Sequence, residues 1–197
     1  MLNKDYYLVA IIGFFVGVLT IIPLKNIGIV ISFPLFFASA VGFTFFASLS
    51  FFILKLLSNY WPIFEQFSKF AVVGALNSLI NLSVLNILIF FTNITEGIYF
   101  SGFASVAFLV SKANSYLWNK FWTFESKTKI TIKEYIHFSV FTLVGLLLNV
   151  GIISLLVSWV GAPHGISPKV WVNISAIVAI IAIMAWNFLT YKKIVFK

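Results

Sequence analysis

The residues able to do chemistry are few, and most lie inside long apolar runs. The 197-residue chain has five acidic residues, two histidines and no cysteine. Asp5, Glu65, Glu96, Glu125 and Glu134 all fall in or beside breaks between apolar stretches. Proton-coupled transport generally needs a carboxylate within the membrane. Metal-assisted diphosphate chemistry wants clustered aspartates, and only one aspartate is present. His137 and His164 are far apart in sequence, and no Ser-His-Asp pattern, paired carboxylates or metal-ligand spacing occurs. No catalytic residue, metal or cofactor is expected. What remains is a set of amides and one ammonium. Asn77, Asn81, Asn149 and Asn187 interrupt apolar runs, and Lys112 sits near the middle of another. An ammonium at that depth costs at least about 2.5–3.5 kcal/mol. Such groups could receive a ligand with polar and anionic parts. They could equally bond one helix to the next, because an unpaired polar group in lipid costs several kcal/mol.

The elements that carry these groups follow from composition. Hydrophobic residues make up 61% of the chain and charged residues 9%. A soluble domain carries about a quarter charged residues, so the solvent here is lipid. Apolar stretches at Tyr6–Leu24, Ile31–Leu57, Phe70–Phe91, Phe100–Trp118, Ile136–Val160 and Val170–Leu189 can each span about 30 Å of hydrocarbon as a helix. The expected fold is therefore all-α, an integral membrane protein of six transmembrane helices. The first stretch is read as a retained helix rather than a cleaved signal, because it is long and no small-residue cleavage site follows. The second is overlong, which predicts tilt or a kink near Pro34.

Lysine placement predicts orientation. With the N-terminus cytoplasmic, Lys4, Lys55, Lys69, Lys120, Lys127, Lys129, Lys133, Lys192, Lys193 and Lys197 lie inside, and only Lys25 and Lys169 outside. That asymmetry places both termini in the cytoplasm and explains the net charge of +8 without nucleic acid. On a helical projection Ser101, Ser105, Lys112 and Asn119 fall within about 40° of one another. Gly74, Asn77 and Asn81 share a stripe, matched by Thr142, Gly145 and Asn149. The match extends to an internal repeat. Phe70–Asn81 aligns with Phe138–Asn149 at a shift of 68, and Ser115–Phe124 with Asn187–Phe196 at a shift of 72. Two helices per copy predict parallel pseudo-symmetry about the membrane normal.

The segment Phe67-Ser68-Lys69-Phe70-Ala71-Val72-Val73-Gly74, opening the third helix, resembles the F-x-x-V-G start of GtrA-like proteins. Asn119-Lys120-Phe121-Trp122-Thr123-Phe124, closing the fourth, resembles that family's N-[RK]-x-W-x-F ending. The ending recurs at the C-terminus with Tyr191 in place of the asparagine and Ile194 in place of the tryptophan. The resemblance divides the chain into two N-terminal transmembrane helices, residues 1–62, and a four-helix GtrA-like core of two parallel helix-pair repeats, residues 63–197. It implies translocation of a polyprenyl-phosphate-linked sugar across the cytoplasmic membrane for surface polysaccharide glycosylation. The alternative is a non-transporting adaptor that recruits a polyprenyl-phosphate glycosyltransferase. On the first reading the headgroup binds at Asn119, Lys120 and Trp122, with Lys192, Lys193 and Lys69 at the same surface. It then slides past Lys112, Asn77, Asn81, Asn149 and Asn187. The expected partners are the lipid-linked sugar, the membrane and a membrane glycosyltransferase. A homodimer would enlarge a core that is small for a pathway.

Overall fold

The computed structural model describes residues 4–26, 28–166 and 168–196. Lys197 and the side chain of Lys169, invoked above, lie outside the described residues. Among the described residues six helices follow one another: α1 (Lys4–Asn26), α2 (Phe33–Leu57), α3 (Ile63–Thr92), α4 (Gly97–Trp118), α5 (Ile132–Ser154) and α6 (Pro168–Thr190). Three of them end in a wider π-helical turn: α4 at Asn119–Thr123, α5 at Leu155–Val160 and α6 at Tyr191–Val195. No strand occurs among the described residues.

Among the described residues, five stretches are long and apolar enough to cross a membrane: Lys4–Lys25, Phe33–Leu57, Ile63–Thr92, Ile132–Val160 and Ile177–Val195. The chain is a multi-pass membrane protein, and its many outward Phe, Leu and Ile side chains suit a lipid solvent. The fourth expected span, Phe100–Trp118, does form a helix, α4, but it is not among the five. Ser101, Ser105, Ser111, Lys112, Asn114 and Ser115 dilute its apolar character. The kink expected near Pro34 is absent. Pro34 instead lies in the first turn of α2, where a missing N–H costs nothing, and the Ser32 side chain caps that turn.

The chain packs as two compact units, residues 1–125 and 126–197. In the first, α1 and α2 form an antiparallel hairpin whose axes meet at Gly13 and Gly17. A Cβ on Gly17 would stand 2.5 Å from the Ser39 carbonyl oxygen and 2.6 Å from Ala40 Cα. Only glycine permits that approach, and the Ser39 hydroxyl uses it to donate to the Gly17 carbonyl at 2.8 Å. Helix α3 lies parallel to α1: Asp5 meets Lys69 at one end, and the Ser83 hydroxyl donates to the Leu19 carbonyl near the other. The interior joins Val9, Ile12 and Val16 of α1 to Phe51, Val72, Val73, Leu76 and Trp122. The αL cap at Asn93 (φ 56°) ends α3, and α4 returns antiparallel along it.

In the second unit α5 and α6 form another antiparallel hairpin. Phe138 is buried against Tyr191, with ring centroids 4.7 Å apart, and Gly145 admits the Asn187 side chain.

Candidate functional site

The site lies where α3 and α4 face each other. Asn114 Nδ2 donates to Asn77 Oδ1 at 2.7 Å, and one turn deeper Asn81 Nδ2 approaches Ser111 Oγ at 3.4 Å. Together they make a row of amides and hydroxyls between two apolar helices. Beside it opens a cleft of about 380 Å³, lined by Asn77, Ser78, Asn81, Leu82 and Ser111. A dry contact would need only the paired atoms. An open cleft leaves the remaining lone pairs and N–H groups within reach of water or a ligand.

Asn77 and Asn81 thus stand together on one polar stripe facing α4. Lys112 does not join them. Ser111 and Asn114 face α3, and Lys112 projects elsewhere, with Nζ 5.2 Å from the ring centroid of its own Phe108. Ser101 and Ser105, expected on its face, are exposed and donate to the carbonyls of Gly97 and Ser101 in their own helix. Ser111 and Asn114, which do line the contact, were not among the expected site residues. Their signal is a stripe of small residues, Ala107-Ser111-Asn114, at helical spacing.

The ending of α4 is built around its π turn, closed by the Phe124 N–H donating to the Asn119 carbonyl at 2.9 Å. The extra residue in the turn carries Asn119, Lys120, Trp122 and Thr123 all inward. Asn119 is 1% exposed and Lys120 is 0% exposed, so both are enclosed by protein at this end of α4. Asn119 donates to the Ser115 carbonyl at 2.8 Å, while Asn119 Oδ1 and Thr123 Oγ1 are buried acceptors with no donor.

An ion-pair network tops this end. Lys69 Nζ lies 3.1 Å from Asp5 Oδ2 and 2.9 Å from Glu125 Oε1. Glu125 reaches it from a left-handed backbone (φ 51°) just after the π turn. Trp122 Nε1 donates to the other Asp5 oxygen at 2.9 Å and stacks edge-on against Trp118, centroids 5.5 Å apart. Two carboxylates therefore hold Lys69. Lys4, Lys55, Lys69 and Lys120 share this end of the unit, and Lys25 marks the opposite end, near Phe90. Among the described residues no three His, Asp or Glu gather to hold a metal.

In the second unit, Asn149 is half-buried on α5. Asn187 Oδ1 is buried without a donor beside Gly145. Lys192 Nζ sits 5.9 Å from the Phe188 ring centroid. Thr142 donates to the Phe138 carbonyl at 2.7 Å, so the 2.6 Å contact with Tyr191 has the tyrosine as donor.

A helical membrane protein with paired asparagines along one interhelical seam, and tryptophan and lysine at its end, suits ligands that are part lipid and part polar. A family model described as "GtrA/DPMS, transmembrane domain" matches residues 69–196, well over half the chain. The chain belongs to this family, and membership fits a membrane role connected with lipid-linked sugars. No curated protein and no solved structure matches it. The matched segment opens at Lys69 and leaves α1 and α2 outside it.

Proposed function

We propose that this protein moves a polyprenyl-phosphate-linked sugar across the cytoplasmic membrane, acting as a translocase and not as an enzyme. The observation that carries this reading is the open cleft beside the Asn77–Asn114 and Asn81–Ser111 contacts. Sugar hydroxyls both donate and accept, and an amide side chain matches them with two donors and an acceptor. The headgroup would follow that row while the polyprenyl tail stays in lipid. The family match supplies the ligand class.

On this reading α4 is the remaining span, because it lies antiparallel along α3, which is itself long enough to cross. Its polar residues serve the path. The core, residues 63–197, consists of two parallel copies of a helix pair, and residues 1–62 precede it. Both termini face the cytoplasm, and a C-terminal reporter should be found on the cytoplasmic side. Asn119, Lys120, Trp122, Lys112, Asn149, Asn187 and Lys192 remain proposed contacts along the route. Asn119 and Lys120 would act from within the protein rather than from its surface. Flux would follow the gradient of newly made glycolipid.

The second reading is an adaptor that recruits a glycosyltransferase. It draws on the loop before α5, where exposed Ile130 and Ile132 alternate with Lys129 and Lys133. Reconstitution separates the two. Purified protein alone in liposomes should accelerate flipping of a fluorescent polyprenyl-phosphate sugar. Flipping no faster than in protein-free liposomes would leave the adaptor.

A further inference from the structure

We propose that α1, which lies outside the family-matched segment, forms one wall of the headgroup site, and that Lys4 supplies the ammonium that meets the lipid phosphate. The inference rests on the translocase reading for its ligand class and adds where that ligand docks.

A second cleft, of about 330 Å³, opens between α1 and the end of α4. Lys4 and Leu8 of α1 face Asn114, Trp118, Phe121 and Trp122 across it. Each part of a prenyl-phosphate sugar finds a counterpart. The ammonium of Lys4 suits the phosphate, and the tryptophan faces suit a sugar ring. The Asn114 amide suits a hydroxyl, and Leu8 and Phe121 suit the first isoprene units.

The other lysines at this end are not available in the same way. Lys69 is held between Asp5 and Glu125, Lys55 pairs with Glu65 at 3.3 Å, and Lys120 is fully buried. Lys4 is exposed, lines the cleft and has no ion-pair partner among the described residues. Its neighbour Asp5 would repel a phosphate if it were unpaired. Lys69, which it shares with Glu125, offsets part of that charge, and the Trp122 N–H holds the carboxylate in place. Asp5 is thus a positioning residue that fixes the wall.

Asn114 joins the two clefts. It lines this one and donates to Asn77, which lines the other. A headgroup bound at Lys4 therefore already touches the amide row along which it would travel.

The test is a tryptophan-fluorescence titration of the purified full chain. The probes are neryl phosphate, neryl phosphoryl glucose, uncharged neryl glucoside and inorganic phosphate. Wild type should bind both neryl phosphates. Lys4→Gln should weaken both about tenfold, roughly one charge-assisted contact, and leave the glucoside unchanged. Lys4→Arg should restore binding. Asn114→Leu should weaken the glucose-bearing phosphate and spare neryl phosphate. A Lys4→Gln variant that binds both phosphates as wild type does overturns the proposal, whatever flipping shows. Inorganic phosphate binding as tightly as neryl phosphate overturns it too, since the site would then be a free-anion site. If wild type binds none of the lipids and does not flip them, the translocase reading falls with it. If wild type flips the lipid while Lys4→Gln binds and flips normally, only the role of α1 falls.

Discussion

Replacing Asn77 by leucine separates transport from helix packing. Its Oδ1 accepts the 2.7 Å bond from Asn114 and borders the open cleft. An interhelical hydrogen bond of this kind in a membrane is worth about 0.6 kcal/mol on average and up to about 1.7. Leucine matches asparagine in size, so the main cost is that bond and a stranded Asn114 amide. The sum is about 1–2 kcal/mol, or roughly 2–8 °C in thermal midpoint for a chain of this size. The hairpin persists, because the Asn81–Ser111 contact, the Phe70–Phe124 ring contact and the Lys69–Glu125 pair still join α3 to α4. Flipping should suffer more. Losing one or two neutral hydrogen bonds to a passing sugar costs about 1–2 kcal/mol, roughly a 5- to 30-fold slower rate. The decisive variant is the Asn77→Leu, Asn114→Leu double. It leaves no stranded amide and lets two leucines pack, so stability should recover towards wild type while flipping stays slow. If the double variant flips at the wild-type rate, the asparagines are packing groups and the path does not run between these helices.

Four further variants test single positions. Gly17→Ala should cost about 1–3 kcal/mol in detergent unfolding, because its Cβ would meet Ser39 and Ala40 backbone atoms. Gly42→Ala, with open space around it, should be near neutral. Asp5→Asn keeps an acceptor for Trp122 but removes the better buried of the two carboxylates that pair with Lys69, and should cost about 1–3 kcal/mol by the same measurement. Lys112→Leu should raise stability by removing an ammonium from mid-helix, and if Lys112 meets the phosphate it should also slow flipping; full activity would remove it from the route.

The helices were legible because lipid imposes their length: five of six apolar stretches survive as spans, and the breaks at Asn93 and Gly161 fall in the gaps between those stretches. Which face of a helix packs was much less legible. In water, apolar periodicity reports the buried face. In lipid both faces are apolar, so the wheel is drawn by its polar residues, and these mislead. Ser101 and Ser105 spend their hydroxyls on their own helix and stay exposed, which drew the predicted stripe of α4 towards Lys112. The contact face is marked instead by small residues, Ala107 and Ser111 on α4 and Gly13 and Gly17 on α1. The Asn77–Asn81 stripe was read correctly because an asparagine cannot fully satisfy itself within its own helix. The burial of Asn119 and Lys120 was not legible, since regular 100° spacing breaks down at a π turn.

The two helix pairs, read under the proposed repeat, are alike at their ends and unlike at their centres. Phe70 meets Phe124 at 6.4 Å between centroids, and the aligned Phe138 meets Phe196 at 6.1 Å. Both second helices end in a π turn, at Asn119 and at Tyr191, the same 72 residues apart as the sequence match. Inside, the first pair has Gly74, with open space where a side chain would project, and Asn119. The second has Thr142 and Tyr191 in those places, with the tyrosine hydroxyl bonded to the threonine and its ring packed on Phe138. The second pair has thus filled with its own side chains a place the first keeps small and polar. On the translocase reading the first pair then carries the main part of the ligand path, with Asn149, Asn187 and Lys192 of the second as lesser contacts. Tyr191→Phe should then cost about 0.5–1.5 kcal/mol, one hydrogen bond, and change flipping less than about twofold. If Tyr191→Phe slows flipping as much as Asn77→Leu does, both pairs contact the substrate equally and the asymmetry has no functional meaning.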